Sequence, residues 1–153
     1  MKIGVLKETK TPPDERVPLS PMACKKIVET YPNVKIIVQS SDIRAFKDEE
    51  YANLGLTVQN DVSECDVLMG VKEVKKDCLI PNKTYFFFSH TIKEQPYNRD
   101  LLLKIMDKNI QMIDYETLTN PNGGRILGFG RYAGIVGAYN TFLAYGKKYN
   151  AFD

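Results

Sequence analysis

The sequence contains a single histidine and only three cysteines, and this scarcity narrows the chemistry open to the chain. The cysteines, Cys24, Cys65 and Cys78, are odd in number, widely spaced and form no CxxC pair. Because zinc sites need closely spaced thiolates and imidazoles, we expect no metal site and three free thiols in a reducing cytoplasm. No GxSxG, HExxH or Walker sequence occurs, which argues against a serine hydrolase, a zinc protease or a nucleoside triphosphatase.

Long apolar runs and clusters of one charge are also missing. The amino terminus carries a charge every few residues and has no apolar core of signal-peptide length, and no other stretch is long enough to span a bilayer. The formal net charge is only +2, and the lysines are scattered along the chain. We therefore expect a cytoplasmic protein that binds neither membranes nor nucleic acid.

Short apolar segments alternate with helical segments along the chain, and 43% of the 153 residues are hydrophobic. This order predicts an α/β domain with a parallel sheet, either Rossmann-like or flavodoxin-like. We assign the domain to residues 1–128 and a long helix to residues 129–153. The predicted strands cover 2–7, 34–38, 56–58, 66–71, 85–88 and 110–113, and the earlier predicted helices cover 21–31, a short segment from 48, and 99–108.

The only histidine, His90, follows the most apolar of the predicted strands. The aromatic run from Tyr85 to Phe88 is typical of a strand covered on both faces of a parallel sheet. In open α/β sheets the ligand crevice lies outside the carboxyl ends of the strands, so His90 is well placed for chemistry. A loop histidine without a role is the alternative.

Charged or titratable side chains follow four predicted strands at their carboxyl ends: Arg16, Lys72, His90 and Glu116. In a parallel sheet these ends lie at one edge, so we expect a shared site. A guanidinium can hold a carboxylate by two hydrogen bonds, and an imidazole or a partly desolvated lysine can act as a general base. Glu73 and Glu116 would counter the positive charge and adjust the pKa values of Lys72 and His90.

A structural explanation is available for each of these residues taken singly. Lys72 can be a surface lysine beside Glu73, and Arg16 can merely pair with Asp14. Only their joint position at successive strand ends favours a common functional site.

The glycine-rich segment that follows the turn at residues 119–124 does not match a dinucleotide-binding fingerprint. A GxGxxG sequence must follow a strand, whereas Gly128-Phe-Gly130-Arg-Tyr-Ala-Gly134 opens a helix. Gly130, Gly134 and Gly137 share one helical face, which favours close packing against another backbone. Because this helix is apolar along most of its length, we expect the chain to be a fragment of a longer protein and, by itself, to self-associate through the helix.

Five stretches, taken together, carry a family resemblance. They are Lys7-Glu-Thr-Lys with Glu15-Arg16-Val-Pro-Leu-Ser-Pro21, Gly70-Val-Lys72-Glu73, Phe88-Ser-His90-Thr-Ile-Lys93-Glu-Gln95, Ile113-Asp-Tyr-Glu116, and Gly124-Arg125 with Phe129-Gly-Arg-Tyr-Ala-Gly134-Ile-Val-Gly137. The sequence resembles the amino-terminal domain of the alanine dehydrogenase and transhydrogenase superfamily, and most closely the lysine-forming saccharopine dehydrogenases. The His-x-x-Lys-x-Gln and Phe-Gly-x-x-Ala-Gly-x-x-Gly patterns favour that branch, since alanine dehydrogenases typically begin the last helix with Pro-x-Ser.

The resemblance implies a substrate-binding domain of an NAD(P)-dependent oxidoreductase. Such an enzyme joins the ε-amine of lysine to 2-oxoglutarate through an imine, giving saccharopine, or runs in reverse. By the same resemblance, Lys72 and His90 are the acid/base pair. Arg16, Arg125 and Arg131 are ligands of the substrate carboxylates, and Glu73 and Glu116 modify the pKa values of the acid/base pair.

The same resemblance implies that NAD or NADP binds mainly to a second domain that this chain lacks. We therefore expect no cofactor-binding residue here and no turnover by the chain alone. Two alternatives stay open: an alanine dehydrogenase domain, in which ammonia replaces the lysine amine, and a non-catalytic amino-acid-binding or subunit-interaction module.

Overall fold

The computed structural model describes residues 1–151, which divide into two compact units. The first unit is Met1–Thr117, and the second begins at Leu118. The domain boundary that the sequence predicts between residues 128 and 129 stays a prediction.

The first unit contains one six-stranded sheet in which every neighbouring pair of strands is parallel. The strand order is β3-β2-β1-β4-β5-β6. This is the Rossmann order, whereas a flavodoxin-like sheet has the order 2-1-3-4-5, so the parallel α/β prediction is confirmed and its Rossmann form is the one present. The strands are β1 Lys2–Val5, β2 Lys35–Gln39, β3 Thr57–Gln59, β4 Val67–Lys72, β5 Thr84–Phe88 and β6 Gln111–Asp114.

Three α-helices belong to this unit: α1 Pro21–Thr30, α2 Asp48–Ala52 and α3 Arg99–Asp107. Helix α1 begins as predicted, because the Ser20 hydroxyl accepts a hydrogen bond from the Ala23 amide and Pro21 occupies the first turn. Gly55, with φ of +79°, follows α2 and allows the left-handed turn that ends it.

The sequence-based interpretation of α3 needs two corrections. Asn98 does not cap the helix with its side chain but donates from Nδ2 to the His90 carbonyl at 3.0 Å. Of the apolar face, Leu101 and Ile105 are buried, whereas Leu102 and Met106 are 43% and 68% exposed. Only one residue per turn of α3 therefore packs on the sheet.

The sheet has an apolar cluster on each face. One joins β4 and β5 to α3, and the other joins β1 and β2 to α1 and α2. Within β5, Tyr85 and Phe87 are buried in the first cluster, while Phe86 and Phe88 are half-buried and pack against Tyr115. Both faces of this strand are therefore covered, one fully by α3 and the other in part by the Tyr115 ring.

The second unit consists of a turn and a long helix. Asn120 closes the predicted turn, since its Oδ1 accepts from the amides of Asn122 and Gly124 at 3.0 and 2.9 Å. Helix α4, Arg131–Lys148, follows. The close backbone packing predicted at its glycine face, Gly130, Gly134 and Gly137, stays a prediction.

Within residues 1–151, no helix combines the length and the apolar character that a membrane span requires. Over the same residues, no group of three or more His, Cys, Asp or Glu side chains is arranged to hold a metal ion.

Candidate active site at the carboxyl edge of the sheet

The strand order reverses between β1 and β4, and a crevice is expected at the carboxyl ends of these two strands. The chain leaves β1 toward β2 on one side and leaves β4 toward β5 on the other, and ligands of open α/β sheets bind at such a switch point. Arg16 lies in the loop that follows β1, and Lys72 is the last residue of β4. His90 follows β5, and Glu116 follows β6. Five of the predicted site residues therefore lie at strand ends on this edge: Arg16, Lys72, Glu73, His90 and Glu116.

Lys72 combines a fixed backbone with an unengaged side chain. Its amide donates to Glu8 Oε2 at 3.0 Å, and the register between β4 and β5 shifts between Met69 and Lys72. Within residues 1–151, its ammonium group makes no hydrogen bond and no ion pair. An amine in this state is available to a ligand.

Arg16 is held by Asp14 in the loop after β1. Its Nε donates to Asp14 Oδ1 at 2.8 Å, and a second guanidinium nitrogen pairs with Oδ2. The hydrogen bond from Arg16 holds the pKa of the Asp14 carboxyl below its ordinary value, and the charge of Lys72 lowers it further. The guanidinium is 54% exposed, so it keeps donors for another carboxylate while Asp14 fixes its plane.

His90 is oriented by a carboxylate. Its Nδ1 lies 3.0 Å from Glu116 Oε2, and its ring stacks on Phe88 with 6.3 Å between centroids. Lys93 Nζ lies 3.2 Å from the other oxygen of Glu116. The backbone of His90 is left-handed, with φ of 58° and ψ of 10°, which turns the chain sharply after β5.

The tautomer of His90 follows from these contacts. Lys93 Nζ also lies 3.3 Å from Nδ1, but an ammonium and an N–H group cannot both donate to each other. A carboxylate only accepts, so Nδ1 carries the proton and donates to Glu116, and Lys93 pairs with the remaining oxygen. In the neutral ring, Nε2 is then the unprotonated nitrogen, and it makes no hydrogen bond to any of residues 1–151.

Glu116 should therefore contribute stability that depends on pH. The hydrogen bond from His90, followed by that from Lys93, lowers the pKa of Glu116 below its ordinary value of 4.5. A depressed folded-state pKa adds stability above the unfolded value, and this stability is lost as pH falls through the folded one. We expect Glu116→Gln to lower the free energy of unfolding at pH 7 by about 1 to 2 kcal/mol, a deficit that shrinks below about pH 4.

Urea unfolding of the wild type and of Glu116→Gln at pH 7 and at pH 3 to 4 measures this difference. The matched control is Glu94→Gln, at an exposed residue whose side chain makes no hydrogen bond or ion pair in the part of the chain that the structure describes. That variant should differ from wild type by less than about 0.5 kcal/mol at both pH values. An equal deficit for Glu116→Gln at both pH values would contradict the charge-based explanation.

Glu73 is paired with Lys10 rather than with Lys72 or His90. The Lys10 ammonium contacts Oε1, and the buried Oε2 has no hydrogen-bond partner among residues 1–151. A cavity of about 480 Å³ borders this pair, with Lys75 and Tyr97 also in its wall. The predicted effect of Glu73 on the acid/base groups stays a prediction.

Arg125 and Arg131 belong to the second unit. Arg125 forms an isolated antiparallel bridge with Thr119, and Arg131 is the first residue of α4. Their assignment to substrate carboxylates stays a prediction.

Glu8, a further titratable residue at this edge, was not identified from the sequence as a candidate site residue. Its side chain is buried, with 7% exposure, and it accepts hydrogen bonds from the Val71 and Lys72 amides at 2.7 and 3.0 Å. Burial raises the pKa of Glu8, and the two amides partly offset that effect. Nothing in the polar segment Lys7-Glu-Thr-Lys distinguishes such a carboxylate from a solvated one.

The turn after β1 does not fit a dinucleotide. In Rossmann folds a glycine-rich turn brings backbone amides to the pyrophosphate at the start of the first helix. Here residues 6–20 separate β1 from α1 and contain no glycine, and the buried carboxylate of Glu8 would repel a phosphate. This turn therefore lacks the glycine-rich cradle that a dinucleotide occupies in Rossmann folds.

The fold and the edge residues define a Rossmann-type domain with titratable residues along the carboxyl edge of its sheet. The family model for the alanine dehydrogenase/PNT N-terminal domain matches residues 4–136. The chain belongs to this family.

Several curated proteins are similar to the chain. It is 41% identical over 135 residues to the mitochondrial alpha-aminoadipic semialdehyde synthase of Bos taurus, which covers 88% of this chain and 14% of that protein. It is 32% identical over 147 residues to the NAD(+), L-lysine-forming saccharopine dehydrogenase of Schizosaccharomyces pombe, covering 92% of this chain and 39% of that enzyme. The chain thus spans well under half the length of these relatives.

A solved structure of an L-alanine dehydrogenase shares the fold. It superposes with a TM-score of 0.66 at 25% identity, over 81% of this chain and 35% of the other. A transhydrogenase from Sinorhizobium meliloti has a TM-score of 0.65 at 16% identity and supports the fold alone.

Proposed function

We propose that the chain is the amino-terminal substrate domain of an NAD(P)-dependent saccharopine dehydrogenase, which condenses lysine with 2-oxoglutarate or performs the reverse reaction. The observation that carries this proposal is that one sheet edge carries both an unengaged amine at Lys72, the last residue of β4, and an imidazole at His90, after β5, that is oriented by Glu116. The activities named for the related synthase and saccharopine dehydrogenase suggest the substrate class.

The proposed reaction moves protons in both directions. The ε-amine of lysine adds to the ketone of 2-oxoglutarate, the carbinolamine loses water, and the resulting imine takes up a hydride to become a secondary amine. Addition requires a proton to leave nitrogen and another to reach oxygen, and loss of water requires a proton on the departing hydroxyl. Lys72 and His90 Nε2 are the groups we assign to these transfers, since an amine and an imidazole are both side chains that serve as general acids and bases in enzymes.

The substrate carboxylates call for cationic groups. Arg16 meets this need, because its half-exposed guanidinium is held in plane by Asp14 and retains donors for a second carboxylate. We assign Arg125 and Arg131 as further candidates on the family pattern.

A reduced nicotinamide supplies the hydride in this reaction class. Because the turn after β1 does not fit a dinucleotide, we assign NAD or NADP to a part of the natural protein outside these 153 residues. The chain alone is then expected to be inactive.

The test is oxidation of NADH and of NADPH by the longest natural reading frame that contains the chain. Lysine plus 2-oxoglutarate is compared with ammonia plus pyruvate, and each single substrate serves as a blank. A rate that requires both lysine and 2-oxoglutarate supports the proposal and identifies the cofactor. A rate with ammonia and pyruvate instead would assign the protein to the alanine dehydrogenases. This second assay is included because a solved L-alanine dehydrogenase has the same fold.

A lack of any rate in both assays would contradict the enzymatic proposal. The remaining interpretation would be an amino-acid-binding or interaction module that uses the same edge residues. The 153-residue chain, assayed in parallel, should show no oxidation with either substrate pair.

A further inference from the structure

The end of β4 runs past the end of β1, and this leaves backbone amides without a strand partner. Strand β1 ends at Val5, and its pairing with β4 reaches only Met69. The next strand on the other side, β5, changes register between Met69 and Lys72. The last residues of β4 therefore depend on something other than the sheet for hydrogen-bond acceptors.

Glu8 provides both acceptors. Successive residues of a regular strand point their amides to opposite sides, yet the Val71 and Lys72 amides both donate to the two oxygens of one carboxylate. Such a geometry requires the local irregularity that the register shift records, and bulges of this kind re-aim side chains beside active sites. A Cβ added at Gly70 would lie 3.4 Å from Glu8 Oε1, so the carboxylate rests directly on the strand.

Burying a carboxylate at Glu8 is costly. Its side chain is 7% exposed, and no ion pair to Glu8 occurs within residues 1–151. Burial is the main cause that raises the pKa of Glu8, and burial followed by the charge of Glu8 raises the pKa of the neighbouring Tyr115 hydroxyl. A glutamine of the same size would avoid this cost but could accept at only one of its two terminal atoms.

We propose that Glu8 is a positioning residue for Lys72: its carboxylate fixes the irregular end of β4 and thereby aims the Lys72 side chain into the crevice. The proposal rests on the proposed function for the role of Lys72. It makes no claim that Glu8 touches the substrate.

Amide hydrogen exchange, measured by NMR on the 153-residue chain, tests the first half without any activity. In Glu8→Gln, exchange at one of the two amides, Val71 or Lys72, should accelerate by about 10- to 100-fold relative to wild type, because glutamine keeps an acceptor at only one of its two terminal atoms. Exchange at Leu68, the second residue of the same strand, should stay the same and serves as the internal control for folding. Unchanged exchange at Val71 and Lys72 would overturn the proposal.

Steady-state kinetics of the full natural protein test the second half. Glu8→Gln should lower kcat by about 10-fold or more with KM nearly unchanged, since a misplaced acid/base group affects the transition state more than binding. Glu8→Asp keeps the charge but is too short to reach both amides, so it should behave like Glu8→Gln. Full activity in Glu8→Asp would show that charge, and not position, is what matters.

The control is Glu64→Gln, which removes a carboxylate that pairs with Lys2 at the opposite edge of the sheet and should leave kcat unchanged. Faster exchange with an unchanged kcat would overturn the link to Lys72. A wild-type protein without dehydrogenase activity would defeat the proposed function, and the exchange result would then separately decide whether Glu8 holds the end of β4.

Discussion

Replacing Lys72 with Met is expected to lower kcat for saccharopine formation by the full natural protein by about 10²- to 10⁴-fold. The substitution keeps the length and apolar stem of the side chain and removes only the amine that exchanges protons. Within the described residues 1–151 this ammonium makes no hydrogen bond or ion pair, so its loss leaves no protein partner unsatisfied. The free energy of unfolding should change by less than about 1 kcal/mol.

The matched control for this variant is Lys35→Met, which changes an exposed lysine at the first residue of β2. Lys35 lies at the amino edge of the sheet, away from the crevice, so this variant should retain wild-type turnover. Stopped-flow or steady-state oxidation of NAD(P)H with saturating lysine and 2-oxoglutarate measures both variants. Near-normal turnover in Lys72→Met would remove Lys72 from the mechanism.

Replacing His90 with Asn should lower kcat/KM by about 10²- to 10⁴-fold, because the amide cannot exchange a proton as an imidazole does. Asparagine suits this position, since His90 has φ of 58° and Asn is one of the few residues that adopt the left-handed region readily. The Asn amide can also donate to Glu116, which preserves a partner for that carboxylate. The variant therefore removes the chemistry of the ring while keeping the turn after β5.

Glu94→Asn is the control for the backbone, because Glu94 is exposed and also has a positive φ, of 52°. It should keep wild-type kcat/KM and a wild-type urea midpoint. A second variant, His90→Val, places a β-branched residue in the left-handed region. Besides losing activity, it should lower the free energy of unfolding by about 1 to 3 kcal/mol. If His90→Asn retains full activity, the imidazole has no part in proton transfer.

Most of the secondary structure of the first unit could be predicted from local patterns. Ser20-Pro21 specifies the start of α1 through capping and the fixed φ of proline, and Gly55 marks the end of α2, because both signals act within a few residues. Burial was predicted less well. Leu102 and Met106 look equivalent to Leu101 and Ile105 in the sequence, but only the second pair faces the sheet, because the rotation of α3 is set by packing.

The site could be predicted only as a set of residues at strand ends. The sequence places Arg16, Lys72 and His90 after strands, and the parallel sheet puts those ends on one edge. The partners of these residues could not be predicted. Glu73 pairs with Lys10, 63 residues away, and Glu8 reaches the amide of Lys72, 64 residues away, and no local pattern encodes contacts over such separations.

The sequence by itself determined the order of strands and helices, the parallel α/β class, the family resemblance and the identity of the titratable residues at the strand ends. These follow from hydrophobic periodicity, capping and turn residues, which are local properties of the chain. Only the tertiary structure decided the Rossmann strand order, the donation of His90 Nδ1 to Glu116, and the buried bridge from Glu8 to the end of β4. The reason is that each depends on which distant segments pack side by side, and desolvation and hydrogen-bond geometry take their values only after that packing exists.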